Sequence, residues 1–267
     1  KFTDVADSAG LAWGGRTPRD PANGTVRPCA ADVNGDGHVD LFTANYGKNG
    51  LFLNRGAGKF EDASEAWGVA IDGRYDTCAF SDFDNDGRLD LYVNGTVTGG
   101  TSYPDYLLRN TGTRFEDVTP ANIRALQADH GVQWGDIDRD GDEDLALTGS
   151  GAAGMHSLLR NMLPPEAAAR GLRVRVVDGQ SRATRAGAEV RVFAKGTQQV
   201  LGMRLVDAGS GYNSQSDAPV HFGLALVQAV DVEVTYPRGG TRVKSRVTVE
   251  PKEWQGTTLY LRVPSAP

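Results

Sequence analysis

Short apolar segments bounded by Asn, Asp and Gly recur along the first part of the chain and predict β-strands. The first set is Leu41-Phe-Thr-Ala, Leu91-Tyr-Val-Asn and Leu145-Ala-Leu-Thr; the second is Leu51-Phe-Leu-Asn54, Leu107-Leu-Arg-Asn110 and Leu158-Leu-Arg-Asn161. Runs of this length, with aromatic or β-branched members in the first set, are typical of buried strands. Helical periodicity is lacking, so we expect an all-β fold.

Beyond Pro164-Pro165 the pattern changes to alternation of apolar and polar positions. The alternating segments are Leu172-Arg-Val-Arg-Val-Val, Ala188-Glu-Val-Arg-Val-Phe, Val230-Asp-Val-Glu-Val-Thr, Val243-Lys-Ser-Arg-Val-Thr-Val and Thr258-Leu-Tyr-Leu-Arg-Val. A period of two with one charged face predicts half-buried antiparallel strands. The chain therefore divides into a repeat domain, residues 1–163, and a β-sandwich or barrel domain, residues 164–267.

The first domain is built from three repeated units. They open with Phe2-Thr-Asp-Val, Phe60-Glu-Asp-Ala and Phe115-Glu-Asp-Val, and their acidic loops start at Asp32, Asp82 and Asp136. Units of about 50 residues with several short strands are typical of β-propeller blades. A closed propeller needs about four to eight blades. Three alternatives follow: a fourth blade has lost its motif, strands of the second domain complete the ring, or the blades pair with another chain.

Each unit carries one copy of the pattern D-x-[DN]-x-D-G-x-x-D. Oxygen-bearing side chains at positions 1, 3, 5 and 9, together with the position-7 carbonyl, suit Ca²⁺, which takes six to eight oxygen ligands. Glycine at position 6 allows the sharp turn. We therefore predict about three Ca²⁺ ions. Their ligands are Asp32, Asn34, Asp36, His38 and Asp40 in loop 1; Asp82, Asp84, Asp86, Arg88 and Asp90 in loop 2; and Asp136, Asp138, Asp140, Asp142 and Asp144 in loop 3.

Two other interpretations fit these loops less well. An EF-hand needs a bidentate Glu at position 12, where this chain has Thr43, Val93 and Leu147. Ordinary Asp/Asn/Gly turns explain one loop more easily than three matched loops. Loop 1 has Asn34 where the other loops have Asp, so we expect it to bind calcium most weakly.

The acidic loops and their flanks resemble FG-GAP/VCBS-type repeats of integrin-like β-propellers, in the form found in cartilage-acidic-protein-like proteins. In that family the loop carboxylates hold Ca²⁺ on the blade, and adhesive functions are common. The second domain resembles the ASPIC/UnbV domain, although Tyr236 and Ala225 depart from the usual Trp and Gly. The matching segments are Ala186-Gly-Ala-Glu-Val-Arg-Val, Gly209-Ser-Gly-Tyr-Asn-Ser-Gln215, His221-Phe-Gly-Leu224 and Val232-Glu-Val-Thr-Tyr-Pro-Arg-Gly239.

Charge and composition exclude some classes of partner. The formal net charge is −6, which three Ca²⁺ ions would offset, and no basic patch suggests nucleic-acid binding. No apolar run is long enough to span a membrane. Modular calcium sites suit the millimolar calcium outside cells, so we expect a secreted or periplasmic protein, although no signal peptide is visible in this chain. A homo-oligomer is one possible assembly.

The two cysteines, Cys29 and Cys78, occupy nearly equivalent places before loops 1 and 2. A disulfide between neighbouring blades and two separately buried thiols are both open from sequence.

No catalytic constellation is recognisable, so the sequence leaves open whether the protein is an enzyme. His130 and Trp134 precede loop 3, and Tyr212 and Gln215 lie in a Gly-rich segment; these four are candidate binding residues, with a surface histidine and a tight turn as the plainer interpretations. The favoured hypothesis is a calcium-binding scaffold that presents loops to a protein or glycan. The alternative is a calcium-dependent enzyme or accessory protein of bacterial natural-product biosynthesis, with a small-molecule substrate; the ASPIC/UnbV resemblance implies this only weakly.

Overall fold

The computed structural model describes residues 1–12, 24–126, 129–149, 156–181, 186–206, 219–224, 228–238 and 240–264. Within these residues the strands form five sheets of three or four strands and one separate hairpin. The five sheets adopt a β-propeller arrangement of five blades. The all-β prediction is therefore confirmed.

The repeat region supplies the first three blades. Blade 1 consists of β1 (Gly24–Ala31), β2 (Asp40–Tyr46), β3 (Gly50–Asn54) and β4 (Phe60–Asp62). Blade 2 consists of β5 (Tyr75–Ser81), β6 (Asp90–Gly95), β9 (Tyr106–Asn110) and β10 (Phe115–Asp117), with the hairpin β7 (Val97–Thr98) and β8 (Thr101–Ser102) inserted after β6. Blade 3 consists of β11 (Asp129–Gly135), β12 (Asp144–Gly149) and β13 (His156–Leu159). Neighbouring strands within each blade pair antiparallel.

The other two blades come from the second half of the chain. Blade 4 has β14 (Gly171–Val177) between β17 (Val220–Gly223) and β20 (Thr258–Arg262). Blade 5 has the order β16 (Val200–Leu205), β15 (Glu189–Ala194), β18 (Val230–Arg238) and β19 (Thr241–Val249). Of the alternatives for closing the ring, strands from the second region are therefore the one observed. Short helices α1 (Ala6–Ala9), α2 (Ala121–Arg124) and α3 (Pro165–Ala168) and a 3-10 turn (Pro251–Glu253) complete the described elements.

Blades 4 and 5 share one apolar core. Val174 on β14, Val190 on β15, Val232 on β18 and Phe222 on β17 are all buried in it. One expectation for this region is wrong: β14 and β20 pair in parallel rather than antiparallel. After β14 the chain alternates between the two blades, and β20 is added last, on the side of β14 opposite β17.

The first strand of each repeat blade carries an irregularity at the same place. The pairing register shifts between Thr25 and Arg27, between Tyr75 and Thr77, and between Asp129 and Gly131. A β-bulge re-aims the extra side chain and strengthens the local twist. The extra residues in blades 2 and 3 are Asp76 and His130, and these two side chains contact each other across the blade boundary.

A disulfide joins blades 1 and 2. Cys29 on β1 and Cys78 on β5 are bonded, with their Cα atoms 6.2 Å apart. The first strands of neighbouring blades lie against each other, which brings the two equivalent cysteine positions within bonding distance. Of the two alternatives left open by the sequence, the structure has the disulfide.

Candidate metal centres at the blade loops

The first carboxylate of each acidic loop is held by the loop's own backbone. In loop 2, Asp82 accepts N–H hydrogen bonds from Asp86 at 3.0 Å and Gly87 at 2.9 Å. The equivalent pairs occur for Asp32 and Asp136. The position-6 glycines have φ between 84° and 104°, a conformation that residues with a Cβ adopt at a cost. The glycine thus closes the loop and fixes the first carboxylate.

The last carboxylate of each loop joins the loop to the third strand of its blade. Asp90 accepts N–H bonds from Phe83 at 3.1 Å and from Asn110 at 2.8 Å. Asp40 and Asp144 repeat this pattern with Val33 and Asn54, and with Ile137 and Asn161. The position-9 carboxylate is therefore needed to order the loop, whatever it also contributes to a metal ion.

The Asn of each Leu-x-x-Asn segment has a role that its spacing does not reveal. The Asn110 Nδ2 group donates to the Leu89 carbonyl at 3.0 Å and to the Val33 carbonyl at 2.8 Å, so it bridges loop 2 to loop 1. Asn161 Nδ2 donates in the same way to Phe83 at 2.7 Å and bridges loop 3 to loop 2. These amides connect successive loops around the ring.

The carboxylates of loops 2 and 3 are grouped as a cation site requires. Ligand oxygens of Asp82, Asp84 and Asp86 lie within 4.8 Å of one another, as do those of Asp136, Asp138 and Asp144. Asp84 Oδ1 and Asp142 Oδ1 are buried without a hydrogen-bond partner among the described residues. Buried polar atoms are nearly always paired in native proteins, so these two oxygens fit a metal ligand role. The residues of loops 2 and 3 can therefore hold a hard divalent cation.

Burial makes these acids costly to ionise without a cation. Desolvation raises the pKa of Asp40 and Asp82 to about 6 and that of Asp90 to about 9. Neighbouring loop carboxylates add to each shift through like-charge repulsion. An opposite charge nearby favours the ionised form, so a bound divalent ion would remove this penalty.

Each of the three loops is contacted by one arginine from the second half of the chain. The Arg173 Nη1 atom is 3.1 Å from Asp136 Oδ2, and Arg204 Nη2 is 3.8 Å from Asp82 Oδ2. The Arg191 Nη2 group donates to the Gly37 carbonyl at 3.1 Å. Each contact joins blade 4 or blade 5 to a loop of the repeat region.

Loop 2 is the most deeply docked of the three. The Gly223 N–H donates to Asp82 Oδ2 at 2.9 Å, and the imidazole of His221 lies 2.6 Å from Asn85 Oδ1 through its Nε2 atom. A Cβ at Gly223 would lie 2.4 Å from Asp82 Oδ2, so only glycine fits there. Burial lowers the pKa of His221 to about 3, and a neutral ring is the form that suits this contact.

The position-7 side chains also contact the loops. The Nδ1 atom of His38 lies 3.2 Å from Asp36 Oδ1, and Arg88 pairs with Asp86. Asp142 accepts an N–H bond from Leu163 at 3.2 Å. Whether the carbonyls of these three residues bind metal stays a prediction.

The four candidate binding residues do not form one site in the described structure. His130 Nδ1 lies 2.8 Å from Asp76 Oδ2 at the start of β11, the end opposite loop 3. Asp136 lies six positions further along the chain, about 20 Å away at the usual rise per residue of a strand, so His130 does not belong to the loop-3 centre. Trp134 lines a central cavity. Tyr212 and Gln215 lie outside the described residues.

Sequence reasoning missed Arg173, Arg204 and Asn85 as parts of these centres. Arg173 is on an alternating strand, where period-two reasoning assigns charged residues to solvent. Arg204 is on β16, which was not among the alternating segments. Both side chains are nearly buried, with exposures of 11% and 10%. Asn85 is a loop residue with φ of 55°, and Asn tolerates that conformation better than most residues, which was the one available signal.

Two family models match separate parts of the chain. The FG-GAP-like repeat model matches residues 32–93, and the ASPIC and UnbV model matches residues 169–253. The first match contains loops 1 and 2, and the second contains Arg173, Arg191 and Arg204.

Curated proteins from two mammals are similar to this chain. The chain is 31% identical to cartilage acidic protein 1 of Homo sapiens and to that of Mus musculus, in each case over 264 residues. The match covers 89% of this chain and 36% of each relative, so the chain spans about a third of their length. Among solved structures, an Agrocybe aegerita lectin specific for non-reducing terminal N-acetylglucosamine matches at a TM-score of 0.31 and 17% identity, covering 87% of this chain and 69% of the lectin. A likeness at that TM-score carries no argument about function.

None of the helices in the described residues has the length and apolarity needed to cross a membrane.

Proposed function

Since this chain is an FG-GAP-repeat protein with a following ASPIC and UnbV domain, we propose that it is a calcium-binding extracellular interaction protein. Calcium would order the blade loops, and the ordered loops would bind a protein or glycan. The observation that carries the proposal is the repeated loop geometry, in which backbone N–H groups fix the first carboxylate of all three loops.

The donor set supports calcium rather than a softer metal. The candidate side-chain ligands are carboxylate or amide oxygens, and position 7 would add a main-chain carbonyl oxygen. Hard cations prefer oxygen ligands, and Ca²⁺ tolerates the irregular geometry of flexible loops better than Mg²⁺. Bound calcium would hold the loop carboxylates in their ionised form and in one arrangement.

An oxidising compartment is supported by the disulfide. Disulfides persist in secreted and periplasmic proteins and are rare in the cytosol, and the Cys29–Cys78 bond joins two blades. A secreted or periplasmic location also supplies the calcium that modular sites need.

Loops 1 and 3 are the surfaces that we propose for partner binding. Gly35, Asp36 and His38 in loop 1 are exposed, as are Asp138, Arg139 and Asp140 in loop 3. The corresponding part of loop 2 is covered by residues of the second region. A partner would therefore contact loops 1 and 3 and leave loop 2 internal.

Calcium titration of single-loop variants tests the metal sites. We expect about three ions per chain by isothermal titration calorimetry, and Asp36→Asn, Asp86→Asn and Asp140→Asn should each remove one ion or weaken one site by at least about tenfold, the equivalent of roughly 1.4 kcal/mol. Because loop 1 already has an amide at position 3, its site should be the weakest. Glu65→Gln, which changes an exposed acid outside the loops, is the control. Unchanged stoichiometry and affinity in all three loop variants would rule out the assigned sites.

Partner binding is tested on arrays of glycans and purified extracellular proteins. The labelled protein should bind a defined subset in CaCl₂ and lose that binding in EDTA, because ordered loops present one surface and disordered loops do not. Arg139→Glu at the exposed tip of loop 3 should reduce the signal without changing calcium stoichiometry, while Arg55→Glu on the outer part of blade 1 should not. Binding that is equal in calcium and EDTA would contradict a calcium-ordered interface.

A further inference from the structure

A cavity of about 460 Å³ lies where the blades meet. Its walls include the first strands of the repeat blades, β1, β5 and β11, and the strands β16 and β17 of the second region. Pockets that bind small organic molecules are commonly about 300–1,000 Å³. The cavity is separate from the exposed loop tips that we assign to partner binding.

Two buried donors of cavity-lining residues make no hydrogen bond within the described part of the chain. Trp134 Nε1 and Arg204 Nη2 have no hydrogen-bond partner among the described residues, and both residues line the cavity. Only 8% of the Trp134 surface and 10% of the Arg204 side chain are exposed. Native proteins seldom leave such groups unpaired, so a bound molecule with acceptor atoms is expected there.

The guanidinium of Arg204 is fixed in place and has one donor group left. Its Nε atom donates to the His221 carbonyl at 2.8 Å, and its Nη1 atom donates to the Met203 carbonyl at 3.0 Å. Its Cζ atom lies 4.9 Å from the ring centre of Phe222. The nearest carboxylate is Asp82, at 3.8 Å from Nη2, which is beyond hydrogen-bond distance. The positive charge is therefore positioned in advance with Nη2 still available.

Two acids, Asp32 and Glu143, lie on the cavity wall. Both Asp32 oxygens accept backbone N–H bonds inside loop 1. Glu143 Oε1 lies 3.5 Å from His221 Nδ1. Much of the remaining wall is apolar, with Ala79, Val132 and Met203 among its residues.

We propose that this cavity binds a compact amphipathic organic anion. The acidic group accepts a hydrogen bond from Arg204 Nη2, a further oxygen accepts one from Trp134 Nε1, and the apolar body lies against Ala79, Val132 and Met203. A charge-assisted bond to a fixed guanidinium is stronger than a neutral one and selects an anionic group. Binding of this kind needs no catalysis and does not depend on a partner at the loop tips.

A matched pair of fluorescent probes tests the proposal on the full chain in CaCl₂. The probes are 8-anilinonaphthalene-1-sulfonate, which has an apolar body and an acidic group, and N-phenyl-1-naphthylamine, which has the same body without the charge. We expect saturable one-to-one binding of the sulfonate and at least tenfold weaker binding of the neutral probe. Trp134→Phe and Arg204→Met should each weaken sulfonate binding about tenfold or more and leave the neutral probe unaffected.

Trp67→Phe is the control variant, because Trp67 is buried in the core between blades 1 and 2 and is not on the cavity wall. It should bind both probes as the parent protein does. Melting curves of each variant exclude unfolding, and if Arg204→Met does not fold, Trp134→Phe decides alone, since it removes one N–H and keeps an aromatic ring. No saturable binding of the sulfonate, equal binding of the two probes, or unchanged binding in Trp134→Phe would overturn the proposal.

Discussion

Chelation with EDTA is expected to lower the melting temperature by roughly 15 °C or more. A site at a free calcium concentration about 100-fold above its Kd stabilises the folded state by about 2.7 kcal/mol. A change of about 1 kcal/mol shifts the melting temperature of a protein of this size by about 2–4 °C. Three sites together therefore give a large shift. Without the ions, burial and mutual repulsion of the acids in loops 1 and 2 further destabilise the folded state. The same two effects raise the pKa of Asp90 to about 9.

The melting temperature is measured by differential scanning calorimetry in CaCl₂ and in EDTA, and again after excess calcium is added back. Recovery of the original melting temperature separates metal loss from irreversible damage. The combined variant Asp36→Asn, Asp86→Asn and Asp140→Asn is the control, because its melting temperature should no longer respond to EDTA. Coincident curves in calcium and EDTA, with no metal found by elemental analysis, would show that the loops fold without an ion.

The second large effect is expected from Asn110→Ala, which should destabilise the protein by roughly 2–5 kcal/mol. The Asn110 side chain is fully buried, and its amide donates to the carbonyls of Val33 and Leu89. Truncation leaves both carbonyls buried and unpaired, and each unmet polar group costs about 1–3 kcal/mol. It also removes the bridge between loops 1 and 2. Urea unfolding followed by circular dichroism gives the free energy of unfolding.

Asn54→Ala is the matched control for this experiment. Asn54 and Asn110 occupy the same place in their blades, and each accepts an N–H bond from the residue two positions later. Asn54 donates to its own blade at the Val39 carbonyl, whereas Asn110 also reaches the neighbouring loop. Asn54→Ala should therefore lower the free energy of unfolding by at least about 1 kcal/mol less than Asn110→Ala does. Equal losses in the two variants would show that the inter-loop bond does not stabilise the ring.

The sequence predicted the acidic loops and their flanking strands because the interactions that form them are local. Asp82 bonds to residues four and five positions later, and Asp90 bonds back to Phe83. A nine-residue pattern contains nearly all of that geometry. The strands on either side follow from short apolar runs that fit the buried face of a blade.

The bridges between loops could not be predicted because their partners are distant in sequence. Asn110 reaches Val33, and Asn161 reaches Phe83, across 77 and 78 residues. The Leu-x-x-Asn pattern identified a repeat but not the carbonyl opposite its amide. The fourth and fifth blades could not be recognised from the sequence, because their strands carry no copy of the repeat motif.

The arginine contacts show a limit of period-two reasoning. Alternation correctly indicated strands at 172–177 and 230–235, but it says only that successive side chains point to opposite faces. It does not say whether the polar face meets water or another part of the protein. Arg173 faces the carboxylate of Asp136, so a position that looks solvent-exposed in sequence is nearly buried in the structure.

The three arginines also constrain how this pairing of domains can have been assembled from separate genes. Arg173 and Arg204 are buried next to acids of loops 3 and 2, and Arg191 binds the turn of loop 1. A recombination event that transferred the second segment to another repeat array would bury two positive charges without counterions, unless the new array carried acids at the same loop positions. The repeat and the second segment are therefore expected to be inherited together, as a single unit of exchange.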